Sequence, residues 1–120
     1  MSRIIHLTKK DFDKKDPQKL NKSGISIVKF YANWCGFCKS TQPEYELLSN
    51  LAYKDFNICM YEADDFLEVM NKSSLHGFKV NGYPTHIIFV NGLYKETYEG
   101  ERVARAMLNK LLQIKTDLTI

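Results

Sequence analysis

Cysteine, proline and glycine are all scarce in this 120-residue sequence, with three Cys, three Pro and six Gly. A small, odd number of cysteines excludes the disulfide-stapled scaffolds of small secreted domains. The few prolines and glycines leave no repeat, linker or low-complexity segment. No apolar run approaches the roughly 20 residues of a membrane-spanning helix. With 26% of residues charged, no membrane partner is expected. An excess of one sign of charge is missing too: 17 basic and 14 acidic residues leave a net charge of +3. No basic stripe with interleaved aromatics occurs, so no nucleic-acid partner is expected. Lys9, Lys10, Lys14, Lys15, Lys19 and Lys22 cluster, but Asp11, Asp13 and Asp16 interleave with them, as on a solvated helix face. The opening MSRIIHLTKK has no apolar stretch of signal-peptide type, and the closing KTDLTI is not a retention signal. A cytoplasmic protein is the expectation.

What is abundant is apolar. The hydrophobic fraction is 44%, with seven Phe, seven Tyr and one Trp, enough for one aromatic-rich core. One domain over residues 1–115 is expected, with 116–120 a loose tail. RIIHL (3–7) reads as a strand. Thr8 and Asp11 suit a capping box opening a helix through Phe12 that breaks at Pro17. SGISIVKFYA (23–32) reads as a central strand covered on both faces, with Lys29 its one charged residue. Residues 35–53 read as a helix kinked at Pro43, with Leu47, Leu48, Leu51 and Ala52 at helical spacing. A strand over 56–63, a helix over 64–78 stopped near Gly77 and a strand over 85–90 follow. Asn91-Gly92 is a hairpin turn into a strand over 93–99. Residues 101–115 form an amphipathic helix, with Val103, Met107, Leu108, Leu111 and Leu112 toward the core. The order β-α-β-α-β-α-β-β-α predicts an α/β fold, a mixed sheet of about five strands with helices on both faces.

Cys35 and Cys38 fall where a strand ends and a helix begins. Free N–H groups there favour a thiolate, which lowers the thiol pKa. Cys35 is expected to be exposed, and Cys38 more buried on the same face. Gly36 gives the loop room for close approach of a substrate backbone. The spacing suits dithiol exchange, with Cys35 attacking and Cys38 resolving. Two other readings compete. The pair could be structural, or half a zinc site completed by two of Cys59, His6, His76 and His86. These last are scattered singly, and a CxxC within a βαβ pattern favours redox chemistry.

FYANWCGFCKSTQP (30–43) resembles the active-site signature of the thioredoxin family, with its aromatic strand end, Trp-Cys-Gly-X-Cys-Lys and following proline. VNGYPTHIIFVNG (80–92) resembles the family's second motif, Gly-hydrophobic-Pro-Thr before a strand. YEG (98–100) and RIIHLTKKDFD (3–13) extend the similarity over residues 3 to 113. The resemblance implies a catalytic Cys35 and a resolving Cys38, with Pro84 in cis beside the disulfide. It implies a substrate-binding surface of Trp34, Gly36, Phe37, Gly82, Tyr83, Thr85 and Gly100, with the backbone of Tyr83 pairing to an extended substrate. It implies no cofactor beyond the reversible Cys35–Cys38 disulfide. The partners it implies are disulfide-containing proteins and a reductase or small-thiol electron donor, acting on a monomer.

Three departures from the family pattern stand out. Gly-Phe separates the cysteines, so Phe37 supplies neither the stiffness of proline nor the charge of histidine. Lys29 stands where the family keeps a buried acid, and Met60 where it keeps a partner lysine. Lys29 is expected either to snorkel outward or to find an acid, for which Glu62 is the candidate. Cys59 is extra, and reads as a small buried hydrophobe. The expected function is a thiol–disulfide oxidoreductase that reduces protein disulfides. A disulfide isomerase-type domain and a non-catalytic binding module are the alternatives.

Overall fold

The computed structural model describes residues 2–63 and 77–119. Five strands make one mixed sheet: β1 (Ile5–His6), β2 (Ile25–Tyr31), β3 (Asn57–Glu62), β4 (Thr85–Val90) and β5 (Leu93–Tyr98), in the order β1-β3-β2-β4-β5. β3 runs parallel to both β1 and β2, while β4 is antiparallel to β2 and to β5. The expected hairpin closes through Asn91 (φ 50°) and Gly92 (φ 85°), the two left-handed residues that a type I′ turn requires. The helix expected over 64–78 lies almost wholly outside the described residues.

The period-two alternation of β2 sorts its side chains onto two faces. Ile27 joins Tyr45, Leu48, Ile58, Ile88, Met107 and Leu111 on one face, under α2 (Gln42–Ala52) and α3 (Ala104–Leu118). Val28 and Phe30 join Phe12, Leu20, Cys59, Tyr61, Phe78 and Phe89 on the other. That second face is the aromatic core foreseen from composition. Phe30 meets the Tyr61 ring edge-on at 5.9 Å, and Phe78 meets Phe89 at 5.6 Å.

The N-terminal segment differs from expectation. The Thr8–Asp11 capping box forms, but it opens only a 3-10 turn over Lys9–Asp11. The chain then folds back. Asp16, Pro17 and Gln18 make a turn closed by Lys19 N–H donating to Asp16 O (2.9 Å), with Pro at the position its fixed φ favours. Phe12 pairs with Leu20 across this turn, and both bury their side chains under the sheet. The lysines are solvated, but on a loop. The buried Gln18 side chain receives Phe78 N–H (2.9 Å) and donates to Phe78 O (2.7 Å), imitating a strand partner.

The helix expected over 35–53 is two helices, α1 (Gly36–Ser40) and α2, joined at Thr41. Pro43 sits in the first turn of α2, where its missing N–H costs nothing, so the chain restarts there rather than kinking. Leu48 and Ala52 are buried, but Leu47 and Leu51 are exposed. α3 begins at Ala104 and buries Ala104, Met107, Leu111 and Ile114. Leu108 is partly buried, while Val103 and Leu112, expected in the core, are exposed. The helix continues to Leu118, so most of the expected loose tail is helical.

Candidate active site

Cys35 is the N-cap of α1, at the end of the strand-to-helix turn, and is disulfide-bonded to Cys38 with Cα atoms 5.3 Å apart. The N–H of Cys38 donates to Cys35 Sγ at 3.1 Å. This is the local donor that a thiolate at Cys35 would use. The expectation that Cys35 would be exposed is corrected. Its exposure is 5%, against 4% for Cys38, because both pack with Ala32, Tyr31 and Tyr83.

The Tyr83–Pro84 peptide is cis, as the resemblance implied. Thr85 Oγ1 donates to Gly82 O at 2.7 Å and ties the turn around the proline. Trp34 and Phe37 are 69% and 55% exposed, an apolar rim beside buried sulfurs. The Trp34 ring stands edge-on to Tyr83 at 5.6 Å. Gly36 and Gly82 face open space, so a substrate backbone can approach both. Gly100 instead lies against the Tyr98 ring, where a Cβ would come within 2.6 Å of the hydroxyl. Its smallness is demanded by Tyr98. Two residues on, Arg102 donates to Pro84 O (3.4 Å), and its guanidinium lies 5.1 Å from the Phe37 ring centroid. Arg102 thus brings charge to the rim that Phe37 cannot supply. The sequence reading did not single it out. Its signal was an arginine two residues after the YEG motif, the first of two in ERVAR (101–105).

Lys29 neither snorkels nor meets Glu62. Its side chain is fully buried on the α2/α3 face, and Nζ donates to Cys38 O (2.8 Å), Gln42 Oε1 (2.9 Å) and Thr41 Oγ1 (3.2 Å). All three of its donors end at the α1–α2 junction. Burial, and then repulsion from Arg102, lower its pKa to about 8, against the pull of Glu46. Glu62 is exposed at the far end of β3, opposite Tyr31, whose pKa burial and the Glu62 charge raise. Met60 is opposite Lys29 and accepts a contact from Gln42 Nε2 to its sulfur at 3.1 Å. His86, the cross-strand neighbour of Lys29, is buried against the Tyr45 and Tyr98 rings. Burial first, then the Lys29 and Arg102 charges, push its pKa down to about 3.

The candidate metal ligands among the described residues, Cys59, His6 and His86, are not brought to the cysteine pair. Cys59 lies in the opposite core with its thiol pushed up to about 12 by burial, as a small hydrophobe would. His6 is exposed on edge strand β1, and His86 is enclosed by aromatic rings. His76 lies outside the described residues. Among the described residues no three His, Cys, Asp or Glu side chains converge on one point.

The family model described as Thioredoxin matches residues 3–113. Protein disulfide-isomerase 2-3 of Arabidopsis thaliana is 31% identical over 108 residues, covering 90% of this chain and 23% of that protein. Protein disulfide isomerase-like 2-1 of Oryza sativa subsp. japonica is 36% identical over 107 residues, covering 87% of this chain and 27% of its own length. The chain therefore spans about a quarter of these relatives. The Trx4 domain of ERdj5 superposes with a TM-score of 0.74 at 20% identity, covering 94% of this chain and 96% of that one.

Proposed function

The chain belongs to the thioredoxin family, and from that premise we propose that it is a thiol–disulfide oxidoreductase that reduces protein disulfides. The observation that carries this reading is the bonded Cys35–Cys38 pair at a helix start, packed against Tyr83 of the cis Tyr83–Pro84 peptide, with Trp34 and Phe37 exposed next to it in the chain. The Cys35 thiolate attacks a substrate disulfide. One substrate thiolate leaves, and a Cys35–substrate mixed disulfide remains. Cys38 loses its proton and attacks Cys35 sulfur. The second substrate thiolate then leaves, and two electrons have passed from the dithiol to the substrate. A reductase or small thiol restores the dithiol. Trp34 and Phe37 supply apolar contact without a deep pocket, which suits many protein substrates held briefly.

The test is reduction of insulin disulfides by the dithiol form. Cys35→Ser should abolish it, and Cys38→Ser should accumulate mixed disulfides. Turnover that survives Cys35→Ser would sink the reading. The relatives named disulfide isomerases support a second reading, an oxidant or isomerase. A glutathione titration followed by Trp34 fluorescence separates the two. A midpoint near about −270 mV marks a reductase, and one near about −180 mV an isomerase.

A further inference from the structure

A lysine with no contact to water on a central strand needs a reason. The geometry around Lys29 supplies one. An ammonium carries three N–H donors, and here three oxygens take them. The Thr41 hydroxyl spends its own hydrogen on Phe37 O (3.0 Å), so a neutral amine, with only two N–H groups, would leave one oxygen without its donor. The acceptor set therefore selects the charged form, and a pKa of about 8 leaves that form dominant at neutral pH. One acceptor is the carbonyl of Cys38 itself. α1 ends at Ser40, and Cys38 O is among its last carbonyls, so the ammonium also caps the helix that bears the redox pair.

We propose that Lys29 is a positioning residue for the exchange reaction: its ammonium, fixed on Cys38 O, Thr41 Oγ1 and Gln42 Oε1, holds a positive charge under the resolving cysteine and favours the Cys38 thiolate. The inference rests on the dithiol-exchange reading above and deepens it. Once Cys35 is joined to substrate, the Cys38 S–H ionises. Lys29 cannot take the proton, since its nitrogen has no lone pair. The proton goes to water instead. A cleft of about 330 Å³, lined by Tyr31, Ala32, Cys38, Gln42 and Met60, reaches Cys38 from that side. A fixed charge with solvent access thus does the work of a buried proton acceptor. The other groups facing Lys29 are Glu46 and Tyr45 on α2, neutral His86 on β4 and Arg102 beyond β5. Among the described residues, the Glu46 carboxylate pulls its pKa upward.

The experiment titrates Cys38 in the Cys35→Ser protein by thiolate ultraviolet absorbance. Cys59 stays silent there, being buried with its thiol near 12. Adding Lys29→Met should raise the Cys38 pKa by about one unit, while Lys29→Arg, which keeps the charge, should leave it low. In the protein with both cysteines, Lys29→Met should slow mixed-disulfide resolution about threefold at neutral pH. Tenfold less thiolate is partly offset by a more nucleophilic one. An unchanged Cys38 pKa in Lys29→Met overturns the proposal. If that variant fails to fold, Cys35→Ser alone decides, because a Cys38 pKa at or above the ordinary value of about 8.5 overturns it equally. These readouts need no substrate. A protein that titrates as expected but reduces no insulin would refute the functional reading and leave the charge effect standing.

Discussion

His86→Phe tests the acid response of the fold. His86 is 2% exposed, with its ring 5.5 Å from Tyr45 and 6.3 Å from Tyr98. Its folded pKa of about 3 lies below the ordinary 6.5. Below pH 6.5 the unfolded chain therefore binds a proton that the folded chain refuses, and stability falls with pH. At pH 5 the loss is about 2 kcal/mol, from 1.5 units at 1.36 kcal/mol each. Carried to pH 3 it reaches about 4 kcal/mol, close to the whole stability of a marginal small domain. Phenylalanine keeps a ring between the two tyrosines and removes the titration. The assay is urea unfolding of the oxidised protein at pH 7.5 and pH 5. Carboxylates titrate alike in both proteins, so the difference between them isolates His86. Wild type should lose about 2 kcal/mol more than His86→Phe between these pH values. Parallel losses, within about 0.5 kcal/mol, would refute the reasoning.

Lys29 should show the complementary behaviour in alkali. Its folded pKa of about 8 lies below 10.5, so the unfolded chain holds the extra proton between these values and stability rises with pH across them. Lys29→Met should remove that rise, seen as a flat pH dependence of urea unfolding across this range. The charge that would tune Cys38 is thus held at a cost to the fold. Trp34→Ala and Phe37→Ala should each raise the KM for insulin about tenfold with kcat little changed. Gly92→Ala should cost about 2 kcal/mol or more, measured by thermal unfolding. Its φ of 85° is left-handed, and a Cβ there would strike the Leu20 carbonyl.

The parts of this molecule legible in its sequence are those set by local chemistry. β4 runs over Thr85–Val90 as its apolar pattern states, and Asn91-Gly92 turns as only such residues do easily. Cys35 sits at a helix start because its neighbours end a strand. The misreadings share another cause. Phe12 leaves the expected helical segment because it pairs with Leu20 and packs under a sheet built mostly from strands further along the chain. Lys29 offered a charge in an apolar run, but its three acceptors exist only because the chain breaks at Thr41 and restarts before Pro43. Arg102 reaches Phe37 and Pro84 across 65 and 18 positions, respectively, a meeting that no local pattern announces.

The paired hydrogen bonds between Gln18 and Phe78 also act on the chain as a polymer. They join positions 60 residues apart, and β2, both cysteines, α2 and β3 all lie within the loop they close. Closing so long a loop removes configurational freedom that each enclosed element would otherwise surrender separately on folding. The amide thus serves as a reversible cross-link, without sulfur, in a protein whose own sulfur bridge spans three positions and, in the proposed exchange reaction, opens. In the proposed reaction, tethering and electron transfer would fall to different chemistries, so reducing Cys35–Cys38 breaks no bond of the Gln18–Phe78 closure.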